Sequence, residues 1–177
     1  MKQNIYLIGF MGTGKSTVSH KLARLLGYEE LDTDAWIVQR QGRSIAEIFE
    51  AQGEAAFRDM ETALLEELAE GERKIISCGG GMAIREENAD LMRKNGIVVL
   101  LTAEPETIFD RVKKDNGRPV LNGNMNVEYI RSLLAQRNPY YRAAGEMEIA
   151  TDGRSPEEIA EKIVKEMKNF KMIEKIF

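Results

Sequence analysis

Two kinds of apolar pattern alternate along the chain. Short, nearly continuous runs stand at Ile5-Tyr6-Leu7-Ile8, Lys74-Ile75-Ile76-Ser77-Cys78 and Ile97-Val98-Val99-Leu100-Leu101. Runs of that length without polar interruption predict strands covered on both faces. Between them apolar residues recur every three or four positions, as in Val18, Leu22, Leu25 and Leu26, which predicts amphipathic helices. In order, a strand is expected over 4–9, a helix over about 15–27 closed by Gly27, and a short strand from Tyr28 to Leu31. Gln39 to Gly42 reads as a polar turn. Ser44 and Glu47 have the spacing of a capping box, opening a helix that Gly53 breaks before a longer one carrying Phe57, Met60, Leu64, Leu65 and Leu68. A helix over about 85–94 follows the third strand, and Pro105 opens the next at a position where its missing N–H costs nothing. Asn126 caps another helix, running to about Gly145. Met147 to Thr151 reads as a fifth strand, and Ser155-Pro156 opens a last helix with Ile159, Ile163, Val164 and Met167 on one face.

Strands alternating with helices predict an α/β fold with a mostly parallel sheet and helices on both sides. Such sheets bind ligands beyond the carboxyl ends of their strands. The first strand ends in Gly9-Phe10-Met11-Gly12-Thr13-Gly14-Lys15-Ser16-Thr17, a phosphate-binding P-loop in strand–loop–helix context. Backbone amides and the following helix N-terminus face an anion there. Lys15 adds a full charge, and the Ser16 hydroxyl suits Mg²⁺. The second strand ends at Asp32 and Asp34, the third at Gly79-Gly80-Gly81. The two aspartates serve a metal shell and a hydroxyl nucleophile, or equally cap the next element. Arg58 with Glu61 one turn on has the spacing of an ordinary surface pair, and Arg137 that of a helix-end charge. Asp115 to Asn124, containing Arg118-Pro119, is the polar stretch expected to form a mobile loop, with Arg118-Pro119 equally readable as a turn.

Composition narrows the class. The 177 residues suit one domain, with 43% hydrophobic and 31% charged residues. A net charge of −4 offers no global field for nucleic acid or an acidic membrane surface, so an anionic ligand needs locally gathered arginines and lysines. The single cysteine, Cys78, excludes an internal disulfide and reads as core packing; His20, the single histidine, reads as an ordinary helix position. Met1-Lys2-Gln3-Asn4 leads directly into the first strand, so no leader peptide is expected, and no apolar run approaches the roughly 20 residues that span a bilayer. A cytoplasmic protein is expected. The apolar residues of 171–177 are expected to pack back on the body, with a dimer contact as the other reading.

The ordered set of P-loop, Asp32-x-Asp34, Gly53-Glu54-x-x-Phe57-Arg58-x-x-Glu61, Gly79-Gly80-Gly81, Arg118-Pro119 and Arg137-Asn138-Pro139-Tyr140-Tyr141 resembles shikimate kinase, from residue 4 to about 165. The resemblance implies a three-layer P-loop kinase fold with a five-stranded parallel sheet in the order 2-3-1-4-5. It also implies a substrate-binding subdomain over about 33–61, a mobile lid over about 112–124, and transfer of the ATP γ-phosphoryl group to the 3-hydroxyl of shikimate. On that basis Gly12, Thr13, Gly14, Lys15, Ser16 and Thr17 hold ATP, Arg111 and Pro156 flank adenine, and Arg118 closes over the phosphates. Asp34 meets the reacting hydroxyl. Arg58, Arg137, Gly80 and Gly81 hold the acceptor, and Ser16 with Asp32 (through water) serves Mg²⁺. Shikimate and ATP are then the ligands of an expected monomer. Ala143 and Gly145 stand where the family usually has glutamate and alanine, and Val120 where it has leucine. The rival readings are a gluconate or nucleoside monophosphate kinase of the same fold, or a nucleotide-binding regulator without catalysis. A GTPase is disfavoured, since no Asn-Lys-x-Asp motif is present.

Overall fold

The apolar runs become the strands of one sheet. The computed structural model describes residues 4–113 and 126–169. Its elements are β1 (Asn4–Ile8), α1 (Lys15–Leu26), β2 (Glu29–Asp32), α2 (Thr33–Gln41), α3 (Ile45–Leu68), β3 (Lys74–Ser77), a 3₁₀ turn (Met82–Ile84), α4 (Glu86–Asn95), β4 (Gly96–Thr102), α5 (Pro105–Val112), α6 (Val127–Ala144), β5 (Met147–Ala150) and α7 (Pro156–Asn169). The strands lie in the order β2-β3-β1-β4-β5, as expected, and every pairing is parallel. Parallel neighbours need crossover connections, and the helices supply them.

Strand side chains alternate between two cores. Ile5, Leu7, Ile75, Val99, Leu101 and Ile149 pack under α1 and α7, against Val18, Leu22, Ile159 and Ile163. Tyr6, Ile8, Ile76, Val98 and Leu100 face the other way, toward Ile37, Phe57, Leu64, Met92, Ile108 and Ile130 on α2 to α6. Burial of both faces accounts for the unbroken hydrophobicity of β1 and β4. Cys78 is core packing as expected, 2% exposed.

Register puts the strand ends in one row. Leu7 pairs with Ser77 on one side and Val99 on the other, and Ser77 in turn pairs with Asp32. The P-loop, Asp32 and the glycines after β3 therefore leave the sheet along one edge.

Three local readings shift. β2 runs one residue later than expected, through Asp32. The stretch after it is helical at once and stays so through Gln41, where a turn was expected from Gln39. Asp32 causes the start, because its Oδ1 accepts from the Ala35 N–H at 3.0 Å; Gly42, in the left-handed region, ends it. The third difference is the 3₁₀ turn Met82–Ile84, held by Met82 and Ile84 N–H groups donating to Gly79 and Gly81 carbonyls. The capping box of Ser44 and Glu47 is present, and Gly53 breaks α3 at φ 83°, ψ 164°. The expected lid, apart from Val112 and Lys113, and the tail 171–177 lie outside the described residues.

Candidate active site

The loop after β1 is shaped by its glycines. Gly9 has φ +140°, and a Cβ there would stand 2.3 Å from the Leu101 carbonyl oxygen. Gly14, φ +92°, is the residue from which α1 starts, and the Val18 N–H donates to its carbonyl at 2.9 Å. The buried Thr13 hydroxyl donates to the Phe10 carbonyl at 2.8 Å, tightening the turn. Lys15 Nζ donates to the Gly9 and Phe10 carbonyls at 2.8 and 2.9 Å, so its ammonium lies across the loop. Positive backbone and side-chain charge thus faces one opening.

Beside it, oxygen atoms from three elements meet. Ser16 Oγ donates to Asp32 Oδ2 at 2.9 Å and lies 3.2 Å from Ser77 Oγ. One Asp32 oxygen therefore caps α2 while the other accepts from Ser16. Among the described residues no group of three or more His, Cys, Asp or Glu side chains could hold a metal. One carboxylate with hydroxyls fits a small hard cation whose remaining ligands are phosphate oxygens and water.

The opposite wall carries the acidic and basic pair. Asp34 sits half-buried in the first turn of α2. Gly79 donates its N–H to Thr33 Oγ1 at 2.9 Å, and a Cβ on Gly79 would fall 2.5 Å from Asp34 Oδ1 and 3.0 Å from Glu61 Oε1. The bare glycine is what lets both carboxyls enter. Arg58 is not the surface pair its spacing allowed. Its Nη1 donates to Glu61 Oε2 at 2.7 Å and its Nη2 to Glu54 Oε1 at 2.8 Å, while the guanidinium lies flat over Gly81, where a Cβ would fall 2.3 Å from Nη2. Glu61 is wholly buried, and burial pushes its carboxyl up to about 7 against the pull of Arg58; Asp34 raises it further, and Arg85 opposes. For Arg58 burial works against the charge, but Glu61 and then Glu54 more than offset it.

Arg137, from α6, holds its Cζ 5.7 Å from the centre of the Phe10 ring in the P-loop. Arg111, from α5, donates to the Gly12 carbonyl at 3.1 Å and to Thr151 Oγ1 and O at 3.0 and 3.2 Å, tying the P-loop to the end of β5. Pro156 starts α7 at the same rim. One cleft of about 940 Å³ is lined by every residue expected to contact ATP, metal or acceptor except Arg118, which lies outside the described residues. Gly80 is less constrained than its neighbours, because a Cβ there would meet Met11 N and Gly9 O at ordinary distances of 3.7 and 3.8 Å. Sequence reasoning missed Thr33 and the rim residue Arg154, and named Gly79 only as part of the glycine run. Thr33, a hydroxyl between two strand-end aspartates, left a visible signal; Arg154 left none.

A donor loop, an oxygen cluster, a half-buried aspartate and clustered arginines around one cleft are the requirements of phosphoryl transfer to a small anionic acceptor. Known proteins agree. The family model described as shikimate kinase matches residues 11–168. A shikimate kinase of Thermodesulfovibrio yellowstonii is 42% identical over 164 residues, covering 93% of this chain and 94% of that protein. One from Geobacter sulfurreducens is 44% identical over 161 residues, covering 91% and 88%. The solved shikimate kinase of Acinetobacter baumannii in complex with shikimate superposes with a TM-score of 0.91 at 37% identity, over 97% of this chain and 96% of that one. The sheet order, the cleft and the motif order along the chain meet in one conclusion: the chain belongs to the shikimate kinase family.

Proposed function

We propose that this cleft transfers the γ-phosphoryl group of ATP to the 3-hydroxyl of shikimate, giving 3-phosphoshikimate and ADP on the route to aromatic amino acids. The observation that carries the reading is the joining of P-loop, Asp34, Arg58 and Arg137 in one cleft. Gly12 to Thr17 cradle the phosphate chain, and Lys15 leaves its loop carbonyls to neutralise the β- and γ-phosphates. Ser16 and Asp32, the latter through water, would hold Mg²⁺, which supplies charge neutralisation on the transferring group. Arg111 and Pro156 flank the adenine. Arg118 is assigned the closing contact on the phosphates, within a lid over about 112–124.

The acceptor enters beside the segment 33–61, which acts as its subdomain. Arg58, held flat over Gly81 by two glutamates, offers its donor edge to the shikimate carboxylate together with Arg137. Gly80 and Gly81 provide backbone contact without side-chain bulk. Asp34 orients the 3-hydroxyl and takes its proton. In a loose transition state orientation contributes more than early deprotonation, so positioning by Asp34 is its larger part. The protein is assigned to the cytoplasm as a monomer; no helix among the described residues is long and apolar enough to cross a membrane.

A coupled ADP-release assay tests this against the rival kinases. Turnover should rise with shikimate and not with gluconate or nucleoside monophosphates; no stimulation by shikimate would overturn the proposal. Asp34→Asn should keep ATP binding and lower kcat by about 10²- to 10⁴-fold. Unchanged turnover would remove Asp34 from its role.

A further inference from the structure

Tyr141 has no part in the chemistry assigned above, yet its hydroxyl bonds to one assigned acceptor contact and its helix carries another. It lies one turn beyond Arg137 on α6, so the two side chains share a helix face. The side chain is 1% exposed, with its ring in the core that backs α2 to α6. Its Oη donates to the Gly80 carbonyl at 2.5 Å, across 61 residues of sequence.

A phenol that spends its proton this way keeps its lone pairs for a donor. Arg137, four residues earlier on the same face of α6, is placed to be that donor. Burial raises the Tyr141 pKa, and the foremost opposing influence is the Arg137 guanidinium, with Arg58 behind it. Between the two residues Pro139 stands inside the helix. It has no N–H to return to the preceding turn, so the backbone ladder is a bond short where Arg137 and Tyr141 project. A side-chain anchor therefore supplies rigidity that the helix lacks there. On its far side Gly80 abuts the P-loop, close to Met11 N and Gly9 O.

We infer that Tyr141 is a positioning residue for the acceptor carboxylate: its hydroxyl fixes the Arg137 guanidinium and the Gly80 carbonyl in one arrangement before the acceptor arrives. The inference rests on the reading of Arg137 and Gly80 as acceptor contacts. A clamp already ordered spends less of its binding energy on immobilising a long side chain. A merely structural hydroxyl would act on stability and leave acceptor affinity alone.

Tyr141→Phe removes one oxygen and keeps the ring. It should raise the KM for shikimate about fivefold to twentyfold, the scale of one lost hydrogen bond to a charged group. The KM for ATP and kcat at saturating shikimate should stay within about twofold. In an Arg137→Ala background the same change should add less than about twofold, because the group through which Tyr141 acts is already gone. A Tyr141→Phe enzyme with unchanged shikimate KM overturns the inference, even if its Tm falls. Full additivity with Arg137→Ala overturns it as well. Wild-type enzyme that ignores shikimate would overturn the functional reading together with this one, whereas normal wild-type turnover with an indifferent variant defeats this one alone.

Discussion

The two halves of the cleft are built on different principles. The half assigned to the donor is nine consecutive residues, Gly9 to Thr17, whose glycines are demanded by backbone conformation: Gly9, Gly12 and Gly14 all have positive φ. The half assigned to the acceptor draws Asp34 from α2, Arg58 and Glu61 from α3, Gly79 to Gly81 from the loop after β3, and Arg137 from α6. Gly79 and Gly81 do not have positive φ; their hydrogens make room for Asp34, Glu61 and Arg58. One half is a local shape that a short sequence specifies. The other exists only once the sheet has brought distant segments together.

Separate variants should therefore damage the two halves separately. The largest effect is expected from Lys15→Met, which removes the only side-chain charge of the donor loop. It should lower kcat by about 10³-fold or more, as loss of a charge from a transferring phosphoryl group does, with shikimate affinity within about threefold. A comparable loss of shikimate affinity, measured by equilibrium binding, would mean that the halves are not independent. Arg58→Ala comes next. It should raise the shikimate KM about 10²-fold and the ATP KM less than about threefold, the cost of truncating one partner of a buried charge pair. Equal changes in both KM values would take Arg58 out of the acceptor clamp.

A smaller effect tests the glycines. Gly81→Ala puts a methyl into the Arg58 guanidinium and should raise the shikimate KM about tenfold, since the head group must leave its two glutamates to make room. Gly80→Ala meets nothing closer than 3.7 Å and should cost less than about threefold. The reverse order would show that backbone contact at Gly80, and not the stacking at Gly81, governs the acceptor wall.

What could be read from the chain follows the same division. The P-loop was legible because its residue types, spacing and flanking elements are all local. Strands β1, β3 and β4 were legible because burial on both faces leaves apolar runs at their centres. Asp32 and Asp34 were visible as strand-end carboxylates, but their fates were not: whether Asp32 caps, binds or does both depends on Ser16, brought alongside by the fold at 2.9 Å. Glu61 was the plainest misreading. Three residues after Arg58 on a helix, it has the spacing of a solvated pair, and it is buried beside Gly79 from the loop after β3, packing that no helical periodicity records. The resemblance supplied roles for Arg58 and Arg137 that spacing alone left as ordinary surface charges. Position 118 and the tail fall outside the described residues, so for them the reading remains that of the sequence.

Glu61 also yields the smallest prediction, and one special to the acceptor half. Its carboxyl lies at about 7 in the folded chain against an ordinary 4.5. The folded state therefore binds more protons than the unfolded state between those values, and stability falls as pH rises through that window. Below about 4.5 both states are protonated; above about 7 both are ionised, and the dependence on this group vanishes at each end. Burial drives the shift, Asp34 adds to it, and Arg58 and Arg85 limit it, so the residual cost is modest. Glu61→Gln cannot titrate. Urea unfolding at pH 5 and pH 8 should show the wild type losing about 1–3 kcal/mol relative to the variant over that interval. Parallel losses in both proteins would mean that Arg58 keeps Glu61 ionised throughout, and that the acceptor wall carries its full charge at every pH in the window.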